Sequence, residues 1–147
     1  MVKLLVNQQS IDVNVPNHKG YTPLNGAARL GFDKVVGELM NHSKIEVNVA
    51  THWNSTPVGF AAFYGHEKVL EHVLKKTRAE IINKPDKDGE TPLIMAVKNG
   101  RVKIVEMLLR HPNILPTLQD RLSGMTPLDM AKERGNHKIV QLLQSCE

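Results

Sequence analysis

A Thr-Pro pair returns four times along the chain, at Thr22-Pro23, Thr56-Pro57, Thr91-Pro92 and Thr126-Pro127, in steps of 34, 35 and 35 residues. A fixed period of this length means stacked units, because each unit is too small to bury its own apolar side. Other positions keep the same register. Nine residues after each Thr stands Gly31, Gly65, Gly100 or Gly135. Four residues further on comes an apolar pair, Val35-Val36, Val69-Leu70, Ile104-Val105 or Ile139-Val140. A second pair follows at Leu39-Met40, Val73-Leu74, Leu108-Leu109 and Leu142-Leu143.

One unit can be read position by position. Thr before Pro starts a helix: the hydroxyl accepts from an otherwise unpaired early N–H, and Pro at the first helical position gives up no hydrogen bond. Small residues follow at Ala27-Ala28, Ala61-Ala62 and Ala96-Val97, so neighbouring first helices can approach closely. The glycine takes the left-handed conformation that ends the helix. In the second helix the paired apolar residues form one buried stripe, with Lys34, Lys68, Lys103 and Lys138 facing water near its start. Between units, Val13-Asn14 to Gly20, Val47-Asn48 to Asn54, Ile82-Asn83 to Gly89 and Leu118 to Gly124 read as hairpin-like loops.

This pattern resembles the ankyrin repeat, whose signature Thr-Pro-Leu-His-x-Ala, then Gly, then an Ile-Val and Leu-Leu helix, is matched most fully from Thr91-Pro92-Leu93 to Leu109. The resemblance implies an all-α ankyrin-repeat solenoid of four full helix-turn-helix repeats with loop hairpins. Residues 1–147 then form a single domain: an N-terminal half repeat over 1–17 and repeats at about 18–51, 52–86, 87–121 and 122–147. The chain departs from the family pattern in three ways. The signature His is replaced by Asn25, Gly59, Ile94 and Asp129, which predicts that its hydrogen bonds are missing and some stability is lost. The period is stretched after the second helix, at Asn41-His42-Ser43-Lys44, Lys75-Lys76-Thr77-Arg78 and His111-Pro112-Asn113. Finally, the loop asparagine present as Asn14, Asn48 and Asn83 becomes Leu118 in the last repeat.

The two ends differ. The last repeat has Ala131-Lys132 where inner repeats have small apolar pairs, and Asp129 and Asn136 add polarity, as expected of a capping unit. The first residues read instead as a second helix, with Val2, Leu4, Leu5 and Val6 as its apolar side. Two explanations stay open: a half repeat that serves as a minimal cap, or a piece of a longer array.

Composition narrows the class further. No run approaches the roughly 20 apolar residues a membrane span needs. The opening apolar run is too short for a signal peptide. Cys146 is the sole cysteine, which excludes an internal disulfide and a thiolate zinc cage. The cytoplasm is the expected compartment, with the nucleus open, and the chain is expected to be a monomer by itself. The net charge of +4 tilts only slightly toward acidic partners.

No catalytic constellation emerges. His66-Glu67-Lys68-Val69-Leu70 starts like a zinc-protease motif but lacks its second His, and His72 falls on another helix face, so both read as surface histidines. Asp86-Lys87-Asp88-Gly89 lacks the closing acidic ligand of a calcium loop, that position being Val97, and reads as a repeat turn. There is no phosphate loop, no nucleophile elbow and no Cys-x-x-Cys; no metal and no cofactor are implied.

The ankyrin resemblance implies binding of another protein through a concave face of loop tips and first helices. On the variable positions this sequence puts His18, Lys19, Tyr21 and Arg29 in repeat one, and His52, Trp53, Phe63 and Tyr64 in repeat two. Lys98 follows in repeat three, and Met125 and Arg134 in repeat four. Four of the six aromatics of the chain are among them. Aromatics and Arg dominate interface hot spots, each costing about 2 kcal/mol or more on truncation, so the anchor is expected on repeats one and two. Phe60 and Phe32 are expected in the core. Two alternatives stand beside this reading: polyanion binding (RNA, DNA or acidic lipid) through the second-helix lysines, and a structural or targeting fragment of a larger multidomain protein. Interspersed Glu38, Glu67, Glu71 and Glu106 argue for a solvated face over nucleic-acid binding.

Overall fold

A computed structural model describes residues 11–146. Among them are α1 (Pro23–Leu30), α2 (Asp33–Met40), α3 (Pro57–Tyr64), α4 (Glu67–Leu74), α5 (Ala79–Ile82), α6 (Pro92–Lys98), α7 (Val102–Leu109), α8 (Pro127–Glu133) and α9 (His137–Gln144), and no strand. Each signature Thr caps a first helix: the hydroxyls of Thr22, Thr56, Thr91 and Thr126 accept from the N–H groups of Asn25, Gly59, Ile94 and Asp129 at 3.1–3.2 Å. Pro follows each at the first position, and Gly31 and Gly65 close α1 and α3 in the left-handed conformation. The half-repeat helix read at Val2, Leu4, Leu5 and Val6 lies outside the described residues.

The helices form two layers. First helices stack in the order α1, α3, α6, α8, and second helices in the order α2, α4, α7, α9. Leu24, Val58 and Leu93 from the first layer and Val36, Leu70 and Val105 from the second are fully buried between them. Each such side chain contributes about 1.5–3 kcal/mol by leaving water. Alanines at 28, 61, 62, 96 and 131 are completely enclosed, which is what lets the first layer pack closely.

The loop asparagines bind successive repeats together. Asn14 donates to the Lys44 carbonyl at 2.8 Å and accepts the Glu46 N–H at 2.8 Å. Asn48 spans Lys76 and Arg78 in the same way, and Asn83 spans Asn113 and Leu115. Each amide therefore satisfies one carbonyl and one N–H of the next corner. Leu118 occupies this place in the last repeat, where no further corner stands among the described residues.

Four expectations need correction. First, the position of the missing signature His makes hydrogen bonds of its own in two repeats. Asn25 is fully buried and donates to the Val49 carbonyl at 3.1 Å, tying repeat one to the next loop. Asp129 closes a capping box, its carboxylate accepting both the Thr126 N–H and hydroxyl. Second, Phe32 is 54% exposed. Its counterparts in later repeats, His66 and Arg101, reach back to carbonyls of the preceding repeat, Arg29 and Phe63. No preceding repeat is there among the described residues to receive Phe32.

Third, His66 and His72 are not simply surface groups. Both are half-buried on glycines of the preceding repeat. His66 Nε2 donates to the Arg29 carbonyl at 3.1 Å, and its ring lies where a Cβ on Gly31 would need to be, 2.6 Å away. His72 sits over Gly37. Fourth, the loop read from Ile82-Asn83 starts only after Ile82: α5 ends there and turns Ile81 and Ile82 inward, where both are buried.

Candidate functional site

Loops and first helices share one side of the stack. Each loop is closed by a side chain, five residues before the signature Thr in the first three loops and six before it in the fourth. Asn17 accepts from Lys19 and Tyr21, Thr51 from Trp53 and Ser55, and Asp86 from Asp88 and Glu90, all backbone N–H groups. The Asp120 carboxylate accepts from both the N–H and the hydroxyl of Ser123. Neighbouring loops touch through backbone: His52 N–H donates to the Lys19 carbonyl and Lys87 N–H to that of Trp53. Asn54, beside Trp53, is the sole non-glycine residue with a left-handed backbone among the described residues, a conformation Asn tolerates.

The aromatic residues fall into two contacting sets. Trp53 lies against Tyr21, with ring centres 6.3 Å apart, and Tyr21 stacks on buried Phe60 at 5.5 Å. On α3, Phe63 meets Tyr64 edge-on at 4.9 Å, and Tyr64 stacks on His66 at 5.9 Å. Trp53 remains 46% exposed, Phe63 40% and Tyr64 38%. Tyr21 is half-buried, while His18, Lys19, Arg29, His52 and Arg134 are exposed. An open groove of 710 Å³ brings Lys19, Tyr21, Arg29 and Trp53 together. A smaller one of 150 Å³ holds Phe63 and Tyr64 beside Phe60 and Met95.

Toward the other end the surface changes character. Lys98 is half-buried and ion-paired with Glu90, so its charge is already answered within repeat three. Met125 is half-buried against the core. Burial lifts the Asp86 carboxyl above the ordinary carboxylate value, and repulsion from Glu90 and Asp88 adds to this against two backbone N–H bonds that pull it down. At Asp120 burial also pushes upward, but the Ser123 hydroxyl and N–H, the Leu122 N–H and the Lys98 charge prevail, and the carboxyl lies below its ordinary value. Among the described residues no three His, Cys, Asp or Glu side chains are grouped to hold a metal.

Leu30 is the last of the variable positions of repeat one in the sequence reading and lines the larger groove beside Arg29; sequence reasoning missed Pro23 and Gly26, which line it too. Gly26 itself carried a signal: it stands where the later repeats carry Phe60, Met95 and Met130.

The paired helices, capped Thr-Pro starts and backbone-stacked loops define a helical solenoid repeat. A family model described as ankyrin repeats (3 copies) matches residues 1–84, 38–120 and 60–147, and the chain belongs to the ankyrin-repeat family. No match was found among curated proteins. Ankyrin repeats generally mediate protein–protein interaction and are typically non-catalytic. No helix among the described residues is long and apolar enough to cross a membrane.

Proposed function

We propose that this chain is a protein-recognition module that holds its partner on the loop and first-helix face, with Trp53 and Tyr64 as anchors and Tyr21, Phe63 and Arg29 in support. The observation that carries this reading is the exposure of Trp53, Phe63 and Tyr64 on adjacent elements, each steadied by another ring yet open on one side. Large, rigid rings held in place lose little freedom on binding, which is why such residues dominate interface energetics. His18, Lys19, His52 and Arg134 extend the surface around them. Charges at its rim act on orientation and on-rate more than on affinity. In this reading residues 1–147 act as one stack and bind as a monomer, and the lone cysteine suits the cytoplasm or nucleus.

The polyanion alternative draws no support from a specific contact. Lys76 Nζ donates to the Met40 carbonyl at 2.9 Å, ending α2, and Glu106 pairs with both Lys103 and Arg110. The test is capture from cell extract with the wild type and with a Trp53→Ala, Tyr64→Ala double variant. A protein retained by the first and lost by the folded second supports the reading; equal capture overturns it.

A further inference from the structure

Between α3 and α6 the candidate face opens into a cavity of 150 Å³. Repeat two supplies Phe60, Phe63 and Tyr64 to its lining, and repeat three supplies Met95 and Asp86. One wall is bare backbone: Gly59 stands where Asn25, Ile94 and Asp129 carry side chains in the other repeats. The helix α1 packs on α3 and the helix α8 on α6, so the cavity lies within the stack and not at an end of it. Sites for small molecules run to roughly 300–1,000 Å³, so this one has room for a single side chain.

The carboxylate sets this cavity apart. Asp86 closes its loop by accepting the Asp88 and Glu90 N–H groups at 3.0 Å, both on Oδ1. Asn17 and Thr51 close the loops of repeats one and two through the same pair of contacts and carry no charge. The turn therefore needs an acceptor, not an anion. The charge is also unanswered within the chain: among the described residues Asp86 has no ion-pair partner, and Lys98 of the same repeat is held by Glu90. Burial and the neighbouring Glu90 and Asp88 carboxylates disfavour ionisation there, against the two backbone N–H bonds that favour it.

Three rings beside one unpaired carboxylate select the occupant. The negative faces of aromatic rings attract a cation, a carboxylate adds a charge-assisted hydrogen bond, and a thioether adapts to the shape of what lies on it. A guanidinium suits all three, because it is planar, always charged and more weakly hydrated than an ammonium. We propose that this cavity receives an arginine side chain of the partner protein, its guanidinium on Asp86 and its stem along Phe63 and Tyr64. The inference rests on the reading that the Trp53 and Tyr64 face meets a protein, and adds the chemistry of one residue the partner presents to it.

The probe is N-acetyl-arginine methylamide, titrated into the isotope-labelled chain and followed by NMR through the backbone amides, beside the citrulline analogue, which has a similar shape and no charge. Two variants accompany it. Asp86→Asn removes the charge and keeps the turn, as Asn17 does in repeat one, and Phe63→Leu keeps an apolar contact and removes a ring. The arginine probe should give saturable shifts at the amides of Ser55, Gly59 and Asp86. The citrulline probe should bind at least about tenfold more weakly, as should the arginine probe to Asp86→Asn. Phe63→Leu should weaken arginine binding about threefold. Equal binding of citrulline, unchanged binding by either folded variant, or shifts that do not saturate at these amides overturns the proposal. Both variants leave Trp53 and Tyr64 in place. If the arginine probe fails while the Trp53/Tyr64 variant still loses the captured protein, this inference falls and the recognition reading stands. If that capture is unchanged, the recognition reading falls and takes this inference with it.

Discussion

The indole of Trp53 rests 6.3 Å from the phenol ring of Tyr21, tilted by 59°, and so joins the loop of repeat two to the base of repeat one. Tyr21 in turn stacks on Phe60, which belongs to the core. The exposed indole is thus supported through two rings from the packed interior, which fixes its place without hiding it. Binding to a side chain held in this way costs little ordering entropy.

The asparagine bridges should be measurable one at a time. Asn83→Ala removes a donor and an acceptor that serve the Asn113 carbonyl and the Leu115 N–H. At about 1 kcal/mol per intramolecular hydrogen bond, the expected loss is about 1–2 kcal/mol in chemical unfolding, with faster exchange of the Leu115 amide. Partner binding on repeats one and two should stay unchanged.

Asp129 gives a pH signature. Its carboxyl is held below the ordinary value chiefly by the Thr126 N–H, then by the Thr126 hydroxyl. A depressed folded-state value means the stabilisation is present above the unfolded carboxylate range and is lost as pH falls through the folded value. Asp129→Asn should therefore melt below the wild type at neutral pH, and the two melting temperatures should converge in acid, once pH has fallen through the folded-state value.

Asp86 has the opposite sign. Its raised carboxyl favours the protonated form in the folded state, so ionisation weakens folding as pH rises through the folded value. Asn17 holds the equivalent loop with the same two N–H acceptances and no charge. Asp86→Asn should raise stability at neutral pH by a few tenths of a kcal/mol, roughly, since solvent screens so partly exposed a site. The gain should vanish in acid.

How much of this was legible in the sequence depends on whether a position answers to its own repeat or to its neighbour. Thr22, Thr56, Thr91 and Thr126 act within one repeat, so their capping role could be read from spacing alone. Buried Ala28, Ala61 and Ala96 were equally plain, because small residues recur wherever helices approach. Phe32 was misread because its exposure depends on what precedes it, and an apolar residue after a turn says nothing of that. The histidine replacements were also opaque: Asn25 meets Val49, 24 residues on, and that pairing exists only once the loops have stacked. On the candidate face, the scarce aromatics point to repeats one and two, whereas Pro23 and Gly26, which also line the larger groove, carry neither a ring nor a charge to single them out.

The most direct measurement is a calorimetric titration of the captured partner against the wild type and the Trp53→Ala, Tyr64→Ala variant. Both residues are partly exposed, so the variant should keep its helical content and unfold at nearly the same temperature. The account predicts an affinity at least tenfold weaker, about 1.4 kcal/mol or more. An unchanged affinity in the folded variant would contradict it.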